Sequence, residues 1–183
     1  MNLLSFGQPL GGVVQVAYTV KDIDRAMRDF TLRLNLGPWF VTGPFVPKQG
    51  RYRGQATDMS LTLAVAFAGH MMIELIEQHD DKPSVYQEKI RTTGYGFHHW
   101  AVCSKSFDED VARYQAAGYP IAFSDLSPRG VRIVYMDTTP DLPGMIEIIE
   151  TTEALEAIYQ SYFDAAQGWD GKDPVRAWSL GTK

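Results

Sequence analysis

The sequence predicts an α+β protein: two tandem βαβββ modules form a curled, mostly antiparallel sheet around a central cavity, and a C-terminal helix follows. Three observations carry this reading. Ile73-Glu74-Leu75-Ile76-Glu77 returns as Ile146-Glu147-Ile148-Ile149-Glu150, each copy closing a short apolar run. The upstream context repeats as well: Val14-Gln15-Val16-Ala17-Tyr18 precedes Asp24, Met27 and Phe30, and His98-His99-Trp100-Ala101-Val102 precedes Asp108, Val111 and Tyr114. The chain therefore reads as two copies of one supersecondary unit, each opening and closing with a polar residue on a strand. Finally, one face of each opening strand carries a polar residue among small ones, which points to a concavity and not a packed face.

The elements follow in order. Gly11 and Gly12 release a strand over 13–20, rich in β-branched residues. Asp22 or Asp24 caps a helix reaching about residue 35, with Ile23, Met27, Phe30 and Leu34 on one face. Gly37-Pro38 ends it, and 39–42 reads as a short strand. Residues 43–58, with several Gly and Pro and with Lys48, Arg51 and Arg53, read as a mobile loop. Strands over 59–68 and 70–78 turn near Gly69 and close a first module spanning 12–78. The polar stretch 79–95, with a short helix reaching Arg91, is the linker.

The second module spans 96–151 and starts with a strand over 97–104. Ser106-Phe107-Asp108-Glu109 has the form of a capping box and starts a helix that Gly118 ends. Strands over 120–124, 131–137 and 145–150 complete the copy, which has no long insertion matching 43–58. In the remainder, 152–183, a helix over 152–167 places Leu155, Ile158, Tyr159, Tyr162 and Phe163 on one stripe, suited to packing on the sheet or on a second subunit. The last stretch is loop-like, pinned to the body by Trp169 and Trp178.

Composition narrows the function classes. With 45% hydrophobic and 12% aromatic residues, the 183-residue chain buries an ordinary core. A net charge of -5 argues against nucleic acid as partner, which needs a basic face. No apolar run approaches a membrane span, and the first dozen residues lack the pattern of a secretory signal. The lone cysteine, Cys103, cannot form an internal disulfide; a cytoplasmic protein is expected.

Strand parity then selects the chemistry. Gln15, Ala17 and Thr19 share a face, as do Met72, Glu74 and Ile76, then His99, Ala101 and Cys103, then Met145, Glu147 and Ile149. A carboxylate between apolar strand neighbours is costly to bury unless paired, protonated or coordinated. If the sheet curls, Gln15, Glu74, His99 and Glu147 converge as one imidazole nitrogen and three oxygen donors, a set suited to Zn, Ni, Co, Mn or Fe. By the same alternation His98 points away from the cavity, and Glu77 and Glu150 end their strands at solvent. His70 reads as a turn residue, His79 as part of the linker, and Cys103 as a small core residue. Arg51, Arg53, Arg91, Arg129 and Arg132 are candidates for steering an anionic group.

The paired units, with polar positions on the first and last strand of each, resemble the vicinal oxygen chelate superfamily, which includes glyoxalase I, methylmalonyl-CoA epimerase, extradiol dioxygenases and antibiotic-resistance proteins. The resemblance covers roughly residues 12–151. It implies metal ligands at Gln15, Glu74, His99 and Glu147, a set similar to that of some zinc-type glyoxalases. Epimerases of the group usually carry His in the place of Gln15 and often Gln in the place of Glu74, so the chain departs from them. Extradiol dioxygenases hold iron with two His and one Glu, and only His99 is offered here. The resemblance therefore implies a metal-dependent isomerase, epimerase or lyase that stabilises an enolate-like intermediate of a small oxygen-bearing substrate. Glu147 is then the first choice of base and Glu74 the second, and the protein is expected to be a homodimer. The alternatives are a metal-free small-molecule binding protein of the same architecture and, ranked lower, a ring-opening dioxygenase.

Overall fold

At the centre of the computed structural model, which describes residues 2–127 and 130–178, strand β1 (Val13–Thr19) runs antiparallel to β7 (Gly96–Ser104). Each is flanked on its other side by the closing strand of its own copy, in parallel: β6 (Met71–Gln78) beside β1 and β10 (Met145–Glu150) beside β7. The registers repeat as well. Gln15 pairs with Met72 and Ala17 with Glu74, just as His99 pairs with Met145 and Ala101 with Glu147. Beyond these lie β5 (Leu61–Ala68), β2 (Trp39–Phe45) and β11 (Val175–Ala177) on one side, and β9 (Arg132–Met136), β8 (Ile121–Leu126), β3 (Arg51–Tyr52) and β4 (Gln55–Ala56) on the other. The result is one 11-stranded, curled and open sheet, antiparallel except at β1–β6, β7–β10 and β2–β11.

Two helices cover the convex side. Asp22 caps α1 (Ile23–Leu34) by accepting from the Arg25 amide, and Ile23 and Met27 sink into Tyr18, Ala64 and Leu75. Leu34, expected on that face, is exposed; Leu36, past the helix end, fills the place instead. Below the second copy, α3 (Phe107–Ala116) packs Phe107, Val111 and Tyr114 on Val134, Met136 and Ile148. Its expected capping box does not form. Ser106 makes no side-chain cap bond, and the Ser104 hydroxyl accepts from the Ser106 amide while donating to Asp110.

The concave side is filled from both ends. Helix α4 (Glu153–Ala166) lays Leu155, Tyr159 and Tyr162 into one end, with Tyr162 stacked on Phe40 at 3.8 Å between ring centroids. Phe6 of the N-terminal segment joins this cluster, edge-on to Phe67 and Tyr159. At the other end α2 (Val85–Thr93), lying in the stretch read as a linker, buries Val85 and Tyr86 beside Met59, Phe123 and Tyr135.

Residues 43–58 depart from the irregular loop expected of them. Strand β2 continues to Phe45, and β3 and β4 form a hairpin that pairs with β8 of the other copy. The described part of the tail is not all loop either, since β11 pairs with β2. Nor are the two strand-end acids idle at solvent. Glu77 accepts from the Ile23 amide at the start of α1, at 3.0 Å, and Glu150 holds Arg132. No described helix is long and apolar enough to cross a membrane.

Candidate functional site

The four polar residues selected by strand parity meet on the concave floor. Gln15 comes from β1, Glu74 from β6, His99 from β7 and Glu147 from β10, all within 7% exposure and His99 at 0%. Gln15 Nε2 donates to Glu74 Oε2 at 3.0 Å. His99 Nε2 lies 3.2 Å from Glu147 Oε2 and 3.6 Å from Glu74 Oε2. Despite that proximity, neither His99 Nε2 nor Glu147 Oε2 has a hydrogen-bond partner among the described residues. Buried polar atoms are nearly always satisfied, so two orphans facing one centre mark a place built for something else.

The electrostatics follow from burial. Desolvation, and then the neighbouring Glu147 carboxylate, push Glu74 well above the usual carboxylate range. Desolvation raises Glu147 to about 8, with a hydrogen bond from Tyr135 pulling it back down. Burial lowers His99 to about 3, holding the imidazole neutral. A neutral imidazole and buried oxygens are what a divalent cation takes as ligands, and the two orphaned atoms fit that use. Among the described residues, however, no trio of His, Cys, Asp and Glu side chains is already set around a common metal position. The four side chains are gathered, with Glu74 engaged by Gln15.

His98 corrects the sequence expectation. Opposite Ala17 and Tyr18, β7 spends three residues where β1 spends two: Ala17 pairs with His99 and Tyr18 with Phe97. His98 is the extra residue of a β-bulge, and a bulge re-aims side chains that simple alternation sends the other way. Both imidazoles consequently lie on the concave side, with Nδ1 of each 2.9 Å from the other. His98 Nε2 contacts the Val85 carbonyl of α2 at 3.3 Å, and the ring is 2% exposed.

Two tyrosines that parity left unassigned complete the site. Tyr135 of β9 pairs in register with Glu147, and its hydroxyl is 2.9 Å from that of Tyr86. Its ring lies 4.7 Å from that of His99. On β9 both Ile133–Tyr135 and Val134–Met136 are apolar, so alternation could not choose between them. Tyr86 sits in the polar stretch read as a connector and gave no signal of its own.

The remaining candidates lie elsewhere. Arg53 is held by Glu88 and Asp137, and Arg132 by Glu150 and Asp108. Arg51 and Arg91 donate to the carbonyls of Gly54 and Asp81 at the surface. Arg129 is outside the described residues. His70 binds the Phe6 carbonyl and His79 the Thr62 hydroxyl, both away from the four. Cys103 is buried on the inward face, in the cluster under α4.

Comparison with known proteins agrees with this architecture. The model of the glyoxalase/bleomycin resistance protein/dioxygenase superfamily matches residues 14–135, and the chain belongs to that family, the vicinal oxygen chelate group. No curated protein matches the sequence. Among solved structures, a hypothetical protein of Bacillus halodurans C-125 aligns at a TM-score of 0.61 and 20% identity, over 78% of this chain and 95% of its own. Methylmalonyl-CoA epimerase from Mycobacterium tuberculosis aligns at 0.58 and 18%, over 86% and 95%. A variant of the Streptomyces coelicolor methylmalonyl-CoA epimerase, in complex with 2-nitronate-propionyl-CoA, aligns at 0.58 and 14%, over 79% and 99%. At such identities the likeness establishes the fold.

Proposed function

We propose that the protein is a divalent-metal-dependent isomerase, epimerase or lyase acting next to a carbonyl of a small oxygen-bearing substrate, with a homodimer as the working unit. One observation carries the reading: four polar side chains at repeat-equivalent positions meet on the buried concave floor, leaving His99 Nε2 and Glu147 Oε2 without a hydrogen-bond partner among the described residues. Gln15, Glu74, His99 and Glu147 would hold the ion. When bound, Zn, Ni, Co, Mn or Fe supplies Lewis-acid polarisation of a substrate oxygen and offsets the charge that develops on it.

The chain's own residues do the rest. Glu147 takes a proton from the carbon beside the carbonyl and returns it, and Glu74 is the second candidate for that role. Tyr135 stands in register beside Glu147 and favours the ionised form of its carboxyl against the effect of burial. Met59, Leu61, Phe123 and Tyr86 keep bulk water from the reacting atoms. His98 does not supply the second histidine ligand that an iron dioxygenase site needs, because both of its nitrogens are already engaged.

Metal content as purified and calorimetric titration with each divalent ion test the reading. About one ion per chain is expected, and His99→Ala should lose most of that binding. Glu147→Gln should abolish exchange of the substrate's α-hydrogen with deuterated solvent while keeping the fold. A protein that holds no divalent ion and takes none up is not this enzyme, and small-molecule binding without metal becomes the better account.

A further inference from the structure

We infer that His98 is a positioning residue: its bare Nδ1 accepts from His99 Nδ1–H and so leaves the lone pair of His99 Nε2 directed into the site. The number of protons available to the two rings fixes their tautomers. Two ring nitrogens 2.9 Å apart can share a single proton, one donating and one accepting. His98 Nε2 faces the Val85 carbonyl, which can only accept, so that nitrogen carries a proton. If His98 Nδ1 carried one too, the ring would be a cation, 2% exposed and with neutral partners on both nitrogens. An unpaired buried charge of that kind is expensive. His98 is therefore neutral with Nδ1 bare, and the shared proton sits on His99.

His99 then has its proton on Nδ1. A second proton, on Nε2, would be a buried N–H with no hydrogen-bond acceptor in line, since the carboxylates of Glu147 and Glu74 are near but not aligned. Nε2 is left as a Lewis base. The relay starts at a main-chain carbonyl of α2, so the Val85 carbonyl on the helix sets the tautomer at the floor of the cup. The bulge is what makes this arrangement available, because it puts the sequence neighbour of His99 on the same side of the sheet.

The inference assigns a role toward the metal of the proposed function, yet it is decided on protein with no metal added. Long-range ¹H–¹⁵N correlation spectra at neutral pH report the protonated nitrogen of each of the 4 histidines, with His98→Asn and His99→Gln used for assignment. The expected pattern is Nδ1–H on His99 and Nε2–H on His98. A proton on His99 Nε2 overturns the inference. His98→Phe fills the space but removes the acceptor. It should shift His99 toward the Nε2–H form and weaken Zn(II) binding about 10- to 100-fold. His98→Asn restores an acceptor oxygen and should recover the wild-type tautomer and most of the affinity; an unshifted His99 in His98→Phe counts against the inference. Should His98→Phe fail to fold, the wild-type and Asn spectra still decide. If the tautomer is as expected but Zn(II) does not bind, the metal reading falls and this one stands. If Zn(II) binds a protein whose His99 carries Nε2–H, this one falls alone.

Discussion

Cys103 stands two pairs along from His99 on the same inward face, and burial pushes its thiol up to about 12. Against an ordinary thiol near 8.5, that leaves roughly a thousandfold less thiolate at pH 8. Native protein should therefore resist iodoacetamide until it is unfolded in guanidinium. Equal labelling rates in the two states would show the thiol to be accessible and ordinary. At this scale the sequence was most readable where strands alternate regularly. Period 2 gathered Gln15, Glu74, His99 and Glu147 from four different strands onto one face, as the structure does. It failed at His98 because one extra residue in a ladder inverts the parity locally and leaves no compositional trace. It failed at Ser106 because the amide that the Glu109 side chain would take in a capping box is bound by the Ser104 hydroxyl instead.

Among the elements, the hairpin of β3 and β4 shows why loops resist sequence reading. Its composition, Gly, Pro and basic residues, marks a turn region, but its partner strand β8 lies some seventy residues on, and no local pattern reports a pairing of that range. Arg53 at the hairpin turn fastens it, giving its guanidinium to Glu88 of α2 and to Asp137 beyond β9. Burial raises the carboxyls of Glu88 and Asp137, but hydrogen bonds outweigh it and hold both below their ordinary values: from Arg53 and Tyr52 at Glu88, and from Thr139 and Arg53 at Asp137. The sign is then fixed. Groups with depressed pKa in the folded state stabilise it fully above their unfolded values, near 4, and lose that contribution as the pH falls through the folded ones. Arg53→Gln should lower stability at pH 7 by about 1 kcal/mol or less, since the network is partly screened by solvent. The difference from wild type should shrink in urea melts run at progressively more acid pH. A gap unchanged by acid would mean that Arg53 acts through packing and not through charge.

For the molecule as a whole, the duplication was legible because both copies kept their strand-end acids and their helix faces. The filling of the cup was not, because nothing in the stripe of α4 distinguishes a face meant for its own sheet from one meant for another subunit. The structure assigns Leu155, Tyr159 and Tyr162 to the interior, and each such burial is worth about 1.5–3 kcal/mol. Set against a typical total of about 5–15 kcal/mol, a chain ending at residue 151 should not fold cooperatively. A sharp two-state melt from that truncated chain would refute the assignment. The bulges carry a further consequence. The opening strand of the first copy has one too, where Val13 and Gln15 pair with Val102 and Ala101, so the residue set aside there is Val14. Val14 and His98 occupy the same slot in the duplicated frame: one in the aliphatic and aromatic cluster under α4, the other against Tyr86 and Tyr135 under α2. Two halves that began alike thus give the cup an oily wall and a hydrogen-bonding wall. The same backbone irregularity, used once in each half, therefore makes the two ends of one floor chemically unlike.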